Sequence, residues 1–205
     1  QGECKGEKVI SDEVKDLQDY NANTSKVDPL TVTASISDLL TDIPDGNYYI
    51  KVIVTDYVNN RVDKTISFVV DSKEPEYTTT LQIKNNDTGV WDDYADLVAT
   101  EDGKEIVYLD SENEYRYKVE VTDEVSGVGD LTVTSTGICS IDDTATEDNG
   151  NTKVFYLNID ADSLNYNIPI DVMFDVSDNA GNSATNCKAK YALKLVKKGI
   201  GIDAD

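Results

Sequence analysis

Residues 168–195, IPIDVMFDVSDNAGNSATNCKAKYALKL, decide the fold. Ile168, Ile170, Val172, Phe174 and Val176 fall on one side of an extended chain, and Asp171, Asp175 and Ser177 on the other. A period of two marks a strand with one face against a core. Residues 178–182, DNAGN, supply a turn. Beyond them Cys187, Ala189, Tyr191, Leu193 and Leu195 alternate with Lys188, Lys190 and Lys194. The stretch reads as a hairpin of two half-buried strands.

The same unit stands upstream. In Tyr48 to Asp56, YYIKVIVTD, the apolar Tyr48, Ile50, Val52 and Val54 share a face, with Lys51 and Thr55 opposite. DYVNN follows as a turn, and then Ile66, Phe68 and Val70 point inward with Lys64 and Ser67 among the polar positions. Asp56 and Asp178 hold equivalent places, 122 residues apart. A second echo matches Ser11-Asp12-Glu13-Val14 to Thr122-Asp123-Glu124-Val125, 111 residues apart. Two markers in the same order predict a tandem duplication. Pro75, in VVDSKEPEY, lacks an N–H and holds Glu74 extended, so a strand ends near Asp71 and another begins near Tyr77. The linker then covers residues 71–76, between domains at 1–73 and 74–205.

The second domain opens with Leu81 and Ile83 and carries an insertion around residues 85–110, whose Asp102-Gly103 is a hairpin signal. Further alternating strands are Tyr115 to Val121, Leu131 to Thr134 and Val154 to Ile159. Short strands with long polar connections predict an all-β chain of two antiparallel sandwiches joined end to end.

Composition narrows the function. In 205 residues, 18 Lys and Arg face 40 Asp and Glu, for a formal charge of −22, and the only arginines are Arg61 and Arg116. Without clustered cations there is no nucleic-acid surface. No apolar run approaches the 18 to 20 or so residues of a membrane-spanning helix. Histidine is absent, which removes the usual acid–base group at neutral pH and the commonest zinc ligand. Acids are everywhere, but no motif singles out a catalytic pair or a nucleophile with its base. The chain reads as a non-enzyme with no catalytic residue and no organic cofactor.

Three blocks carry a resemblance. Residues 45–75, DGNYYIKVIVTDYVNNRVDKTISFVVDSKEP, resemble the second half of a bacterial immunoglobulin-like (Big-type) domain. VEVTDEVSGVGDLTV at 119–133 and VMFDVSDNAGNSA at 172–184 resemble the same family. The resemblance implies tandem immunoglobulin-like sandwiches serving as spacers or binding modules in prokaryotic surface proteins, adhesins and secreted glycosidases. The expected setting is extracellular, at the cell surface. Expected partners are neighbouring domains of the same polypeptide and a glycan or host surface protein. Asn59-Asn60 departs from the family's Gly-Asn, and residues 1–10 are too short for two strands. IGIDAD at 200–205 reads like another linker, so the expectation is a fragment of a longer array.

In that fold the loops carrying Asp123 and Asp178 lie at the domain's N-terminal end, facing the linker acids Asp71, Glu74 and Glu76. Converging hard oxygen ligands suit calcium, which extracellular modules bind at about 0.1 to 1 mM. The alternative is that each acid caps its own loop. Trp91, the only tryptophan, stands near Tyr94 among acids in GVWDDYADL, either as a sugar-stacking surface or as packing. Parity points Cys139 and Cys187 to the same core, either as buried thiols or bridged, in which case a loop of 48 residues would add about 4 kcal/mol. Cys4 has no evident partner. Tyr48, two residues after Gly46, occupies the place of a tyrosine corner.

Overall fold

The computed structural model describes residues 43–55, 58–94, 98–101, 103–135, 137–144 and 146–196, all within the compact unit Asp42–Asp205. The expectations at Cys4, Ser11 to Val14, Asp56, Asp102 and residues 200–205, with most of the expected first domain at 1–73, lie outside the described residues.

The described chain is all β. Strands β1 (Gly46–Thr55) and β2 (Arg61–Val70) form an antiparallel hairpin that puts Tyr48 opposite Phe68 and Ile50 opposite Ile66. The apolar face the alternation predicts is therefore present. It is less covered than expected: Ile66 is 48 % exposed. The Tyr48 ring stacks on Phe68 with centroids 5.8 Å apart, and its hydroxyl donates to the Pro44 carbonyl at 2.6 Å. That is the bond a tyrosine corner makes.

Eleven further strands follow among the described residues: β3 (Glu76–Lys84), β4 (Trp91–Asp93), β5 (Val98–Glu101), β6 (Lys104–Leu109), β7 (Tyr115–Thr122) and β8 (Val128–Val133). Then come β9 (Cys139–Ile141), β10 (Glu147–Asp148), β11 (Thr152–Ile159), β12 (Ile170–Asp178) and β13 (Ser183–Leu195). One sheet runs β10-β11-β7-β3-β4, with β9 also on β11; the other runs β5-β6-β13-β12-β8. The ladders are antiparallel except β6 on β13, which run parallel through Ile106↔Ala192 to Leu109↔Leu195. The chain enters the second sheet with β5, and the antiparallel β5–β6 pairing reverses it so that β6 runs in the direction of the last strand.

One core fills the space between these two sheets. Tyr115, Tyr117, Val119 and Val121 of β7 pack with Val172, Phe174 and Val176 of β12 and with Leu193 and Leu195 of β13. Arg116 and Glu120 take the outer face, as alternation requires. The segment read as an insertion supplies β6, whose Ile106, Val107 and Leu109 are all fully buried. In β11 the alternation is masked, because Val154, Phe155, Tyr156 and Leu157 are buried in succession. Tyr156 faces outward but lies under the Arg116 guanidinium, 3.8 Å from its ring centre, and its hydroxyl donates to Glu147 at 3.1 Å.

Candidate functional site

Asp71, Asp123 and Asp178 meet at one end of these sheets, with one carboxylate oxygen from each within 4.8 Å of the others. Asp123 follows β7 and Asp178 closes β12, so the strands set both positions; both side chains are buried. Asp71 arrives from the segment between β2 and β3 and is half-buried.

Each acid also organises its own loop. Asp123 Oδ1 accepts from the N–H groups of Val125, Ser126 and Gly127 at 3.1, 2.8 and 2.8 Å and from the Ser126 hydroxyl at 3.3 Å. Gly127 has φ of +78°, a conformation that favours glycine. Asp178 Oδ1 accepts from Gly181 and Asn182 N–H at 2.6 and 2.8 Å, and Oδ2 from the Asn182 amide at 2.7 Å. Two bonds then tie the linker to both loops: Ser126 N–H donates to Asp71 Oδ2 at 3.2 Å, and Asn182 Nδ2 donates to the Asp71 carbonyl at 3.1 Å. Burial pushes the Asp71 carboxyl up. Bonds from Ser126 and from the Lys73 N–H, with the Lys73 ammonium nearby, outweigh that and hold it below its ordinary value.

This donor set fits a hard divalent cation. Calcium takes oxygens at about 2.3 to 2.6 Å, so two ligands of one ion can stand at most about 5 Å apart. The 4.8 Å spread of these carboxylates falls inside one coordination sphere. Glu74 and Glu76 are exposed and outside the group; Glu76 opens β3 opposite Thr122. Ser126 and Asn182, which fasten the linker, carry no charge to mark them in the sequence, though Asn182 is the last residue of DNAGN.

Trp91 and Tyr94 part company. Trp91 stands opposite Lys84 on the outer face of β4, and Tyr94 packs toward the core with its ring edge-on to Tyr115, centroids 5.4 Å apart. The Arg116 guanidinium lies 4.2 Å from the Trp91 ring centre, so Arg116 is held between two aromatic rings. The sequence shows this arginine as one of two and gives no hint of the stack.

Cys139 and Cys187 are free thiols. Burial pushes Cys139 up to about 11, and burial raises Cys187 as well. Cys139 sits near Tyr117, and Cys187 near Tyr77. The chain matches no protein-family model, no curated protein and no solved structure.

Proposed function

We propose that this chain is a structural spacer of a prokaryotic surface or secreted protein, built from immunoglobulin-like sandwiches of the Big type and stiffened by calcium where the linker meets the second domain. The observation that carries the reading is the meeting of the linker's Asp71 with Asp123 and Asp178 from two separate loops. A spacer has to transmit direction from one domain to the next, and a cation bound jointly by linker and loops removes the freedom of the joint. The strand order supports the immunoglobulin-like part of the reading: β6 runs beside the last strand, while β3 lies in the opposite sheet.

Scanning calorimetry of the full chain tests it. With Kd at about 0.1 to 1 mM, 5 mM calcium stabilises the folded state by about 1 to 2 kcal/mol. For a domain of this size that raises the melting temperature by about 3 to 8 °C. Asp71→Ala removes the rise. An unchanged melting temperature between chelator and 5 mM calcium would sink the proposal.

A further inference from the structure

A second polar constellation lies on the outer face of the sheet that holds β7, at the end far from the linker. Asp93, Gln82, Arg116 and Asn158 stand in register across β4, β3, β7 and β11. Arg116 is six residues from Thr122 along β7, about 20 Å from the acids of the joint. Within the row Gln82 Nε2 donates to Asp93 at 3.1 Å and Arg116 Nε donates to Gln82 at 2.9 Å, while Asn158 bonds Asp142 beside it. With its guanidinium clamped between Trp91 and Tyr156, Arg116 in turn holds the Trp91 indole in place. Beside this row a depression of about 490 Å³ opens, lined by Lys84, Trp91, Glu114, Asp142, Asn158 and Asp162 among others.

We propose that this depression binds a neutral saccharide. A sugar ring shows a C–H face, suited to the apolar surface of an aromatic ring, and a rim of hydroxyls that each donate and accept. Trp91 supplies the apolar surface with the part of its indole left by the Arg116 guanidinium, 4.2 Å from the ring centre, and the Lys84 ammonium, 5.8 Å from it. The Lys84 ammonium, paired with Glu114 at 2.8 Å, and the Asn158 amide, bonded to Asp142, donate with their remaining hydrogens, and the Glu114, Asp142 and Asp162 carboxylates accept on their remaining lone pairs. Four carboxylates, Glu114, Asp142, Asp160 and Asp162, against the one Lys84 ammonium select against uronic, sialic or sulfated sugars. The volume falls within the span of small-molecule sites, and the clamped indole loses little freedom on binding. For an open, polar depression the expected affinity is in the millimolar range. Tyr94, facing the core, takes no part.

Trp91 is the only tryptophan, so its fluorescence reports on this place alone. The full chain is titrated with chitotetraose, cellotetraose and maltotetraose, with trigalacturonate as the anionic probe and fully deacetylated chitotetraose as the cationic one. The expected result is a saturable change with a neutral tetrasaccharide and none with trigalacturonate. Asn158→Ala and Asp162→Ala should each weaken binding by about tenfold while melting as the parent does. Asp162 is exposed, so its replacement keeps the test alive if Asn158→Ala disturbs the row. Silence toward every neutral tetrasaccharide at about 10 mM overturns the proposal. So does a response confined to the cationic probe, which would mark mere charge attraction, or unchanged binding in both variants.

Discussion

Gly129 lies on β8 with no room for a side chain. A Cβ there would stand 2.6 Å from the Asp178 carbonyl oxygen, 2.9 Å from its carbon and 3.0 Å from the Ser177 carbonyl oxygen. The first distance is about 0.8 Å short of an ordinary contact, and all three atoms are backbone, so no rotamer relieves the clash. Gly129→Ala must push β8 off β12, the ladder whose last pair is Asp178↔Val128. Overpacking costs about 1 to 3 kcal/mol, and a backbone clash belongs at the upper end, about 3 kcal/mol. With a urea slope of about 2 kcal/mol per molar, the midpoint falls by about 1.5 M at unchanged slope. Gly89→Ala is the control. At φ of +71° with nothing within 4 Å, it carries only the left-handed backbone penalty of about 1 kcal/mol, or about 0.5 M. Equal midpoints for the two variants would refute the close approach of β8 to β12.

Three other outcomes are expected. Tyr117→Phe, which deletes a fully buried hydroxyl donating to the Tyr191 carbonyl at 2.8 Å, should cost about 1 to 2 kcal/mol in urea unfolding; a neutral result would mean that bond adds nothing. Asp171 is held below its ordinary value by a bond from Lys188, against the opposing effect of burial, with Lys104 adding to the same side. Its stabilisation is therefore full above about pH 4, its unfolded value, and fades as pH falls through the folded one, so Asp171→Asn should cost about 1 kcal/mol at pH 7 and progressively less as the pH is lowered through the folded value. A cost independent of pH would place the effect in packing. With its thiol near 11, Cys139 is about one part in a thousand thiolate at pH 8, so native alkylation should spare it and denaturation expose both Cys139 and Cys187; a mass lower by two hydrogens would reveal a bridge between them.

Alternation in Ile170 to Val176 and in Cys187 to Leu195 marks the inner faces of β12 and β13 because a half-buried strand writes burial directly into its sequence. The same rule is silent where both faces are covered, as in β11, since a cation stacked on Tyr156 arrives from β7 and leaves no local trace. Parallel pairing of β6 with β13 is likewise a matter of crossover, and residues 97–109 read alone look like an appended hairpin. At the joint, Asp123 and Asp178 are legible because each follows an alternating strand at the start of a turn, and Asp71 because Pro75 marks a linker beside it. Glu74 and Glu76 join them only by proximity in sequence, whereas Pro75 lies buried between two exposed side chains, and β3 carries Glu76 into its own ladder. Proximity in sequence pairs Trp91 with Tyr94 in the same way. They are separated because three residues is an odd step along extended chain, which sends the two rings to opposite faces.

The claim on which the rest depends is that linker and loops share one cation. A crystal structure of the full chain grown in 5 mM calcium measures this directly. The account predicts an ion about 2.3 to 2.6 Å from one oxygen each of Asp71, Asp123 and Asp178, with carbonyl oxygens or waters completing its shell. Three carboxylates bonded only to their own loops, with no ion between them at that concentration, would contradict it.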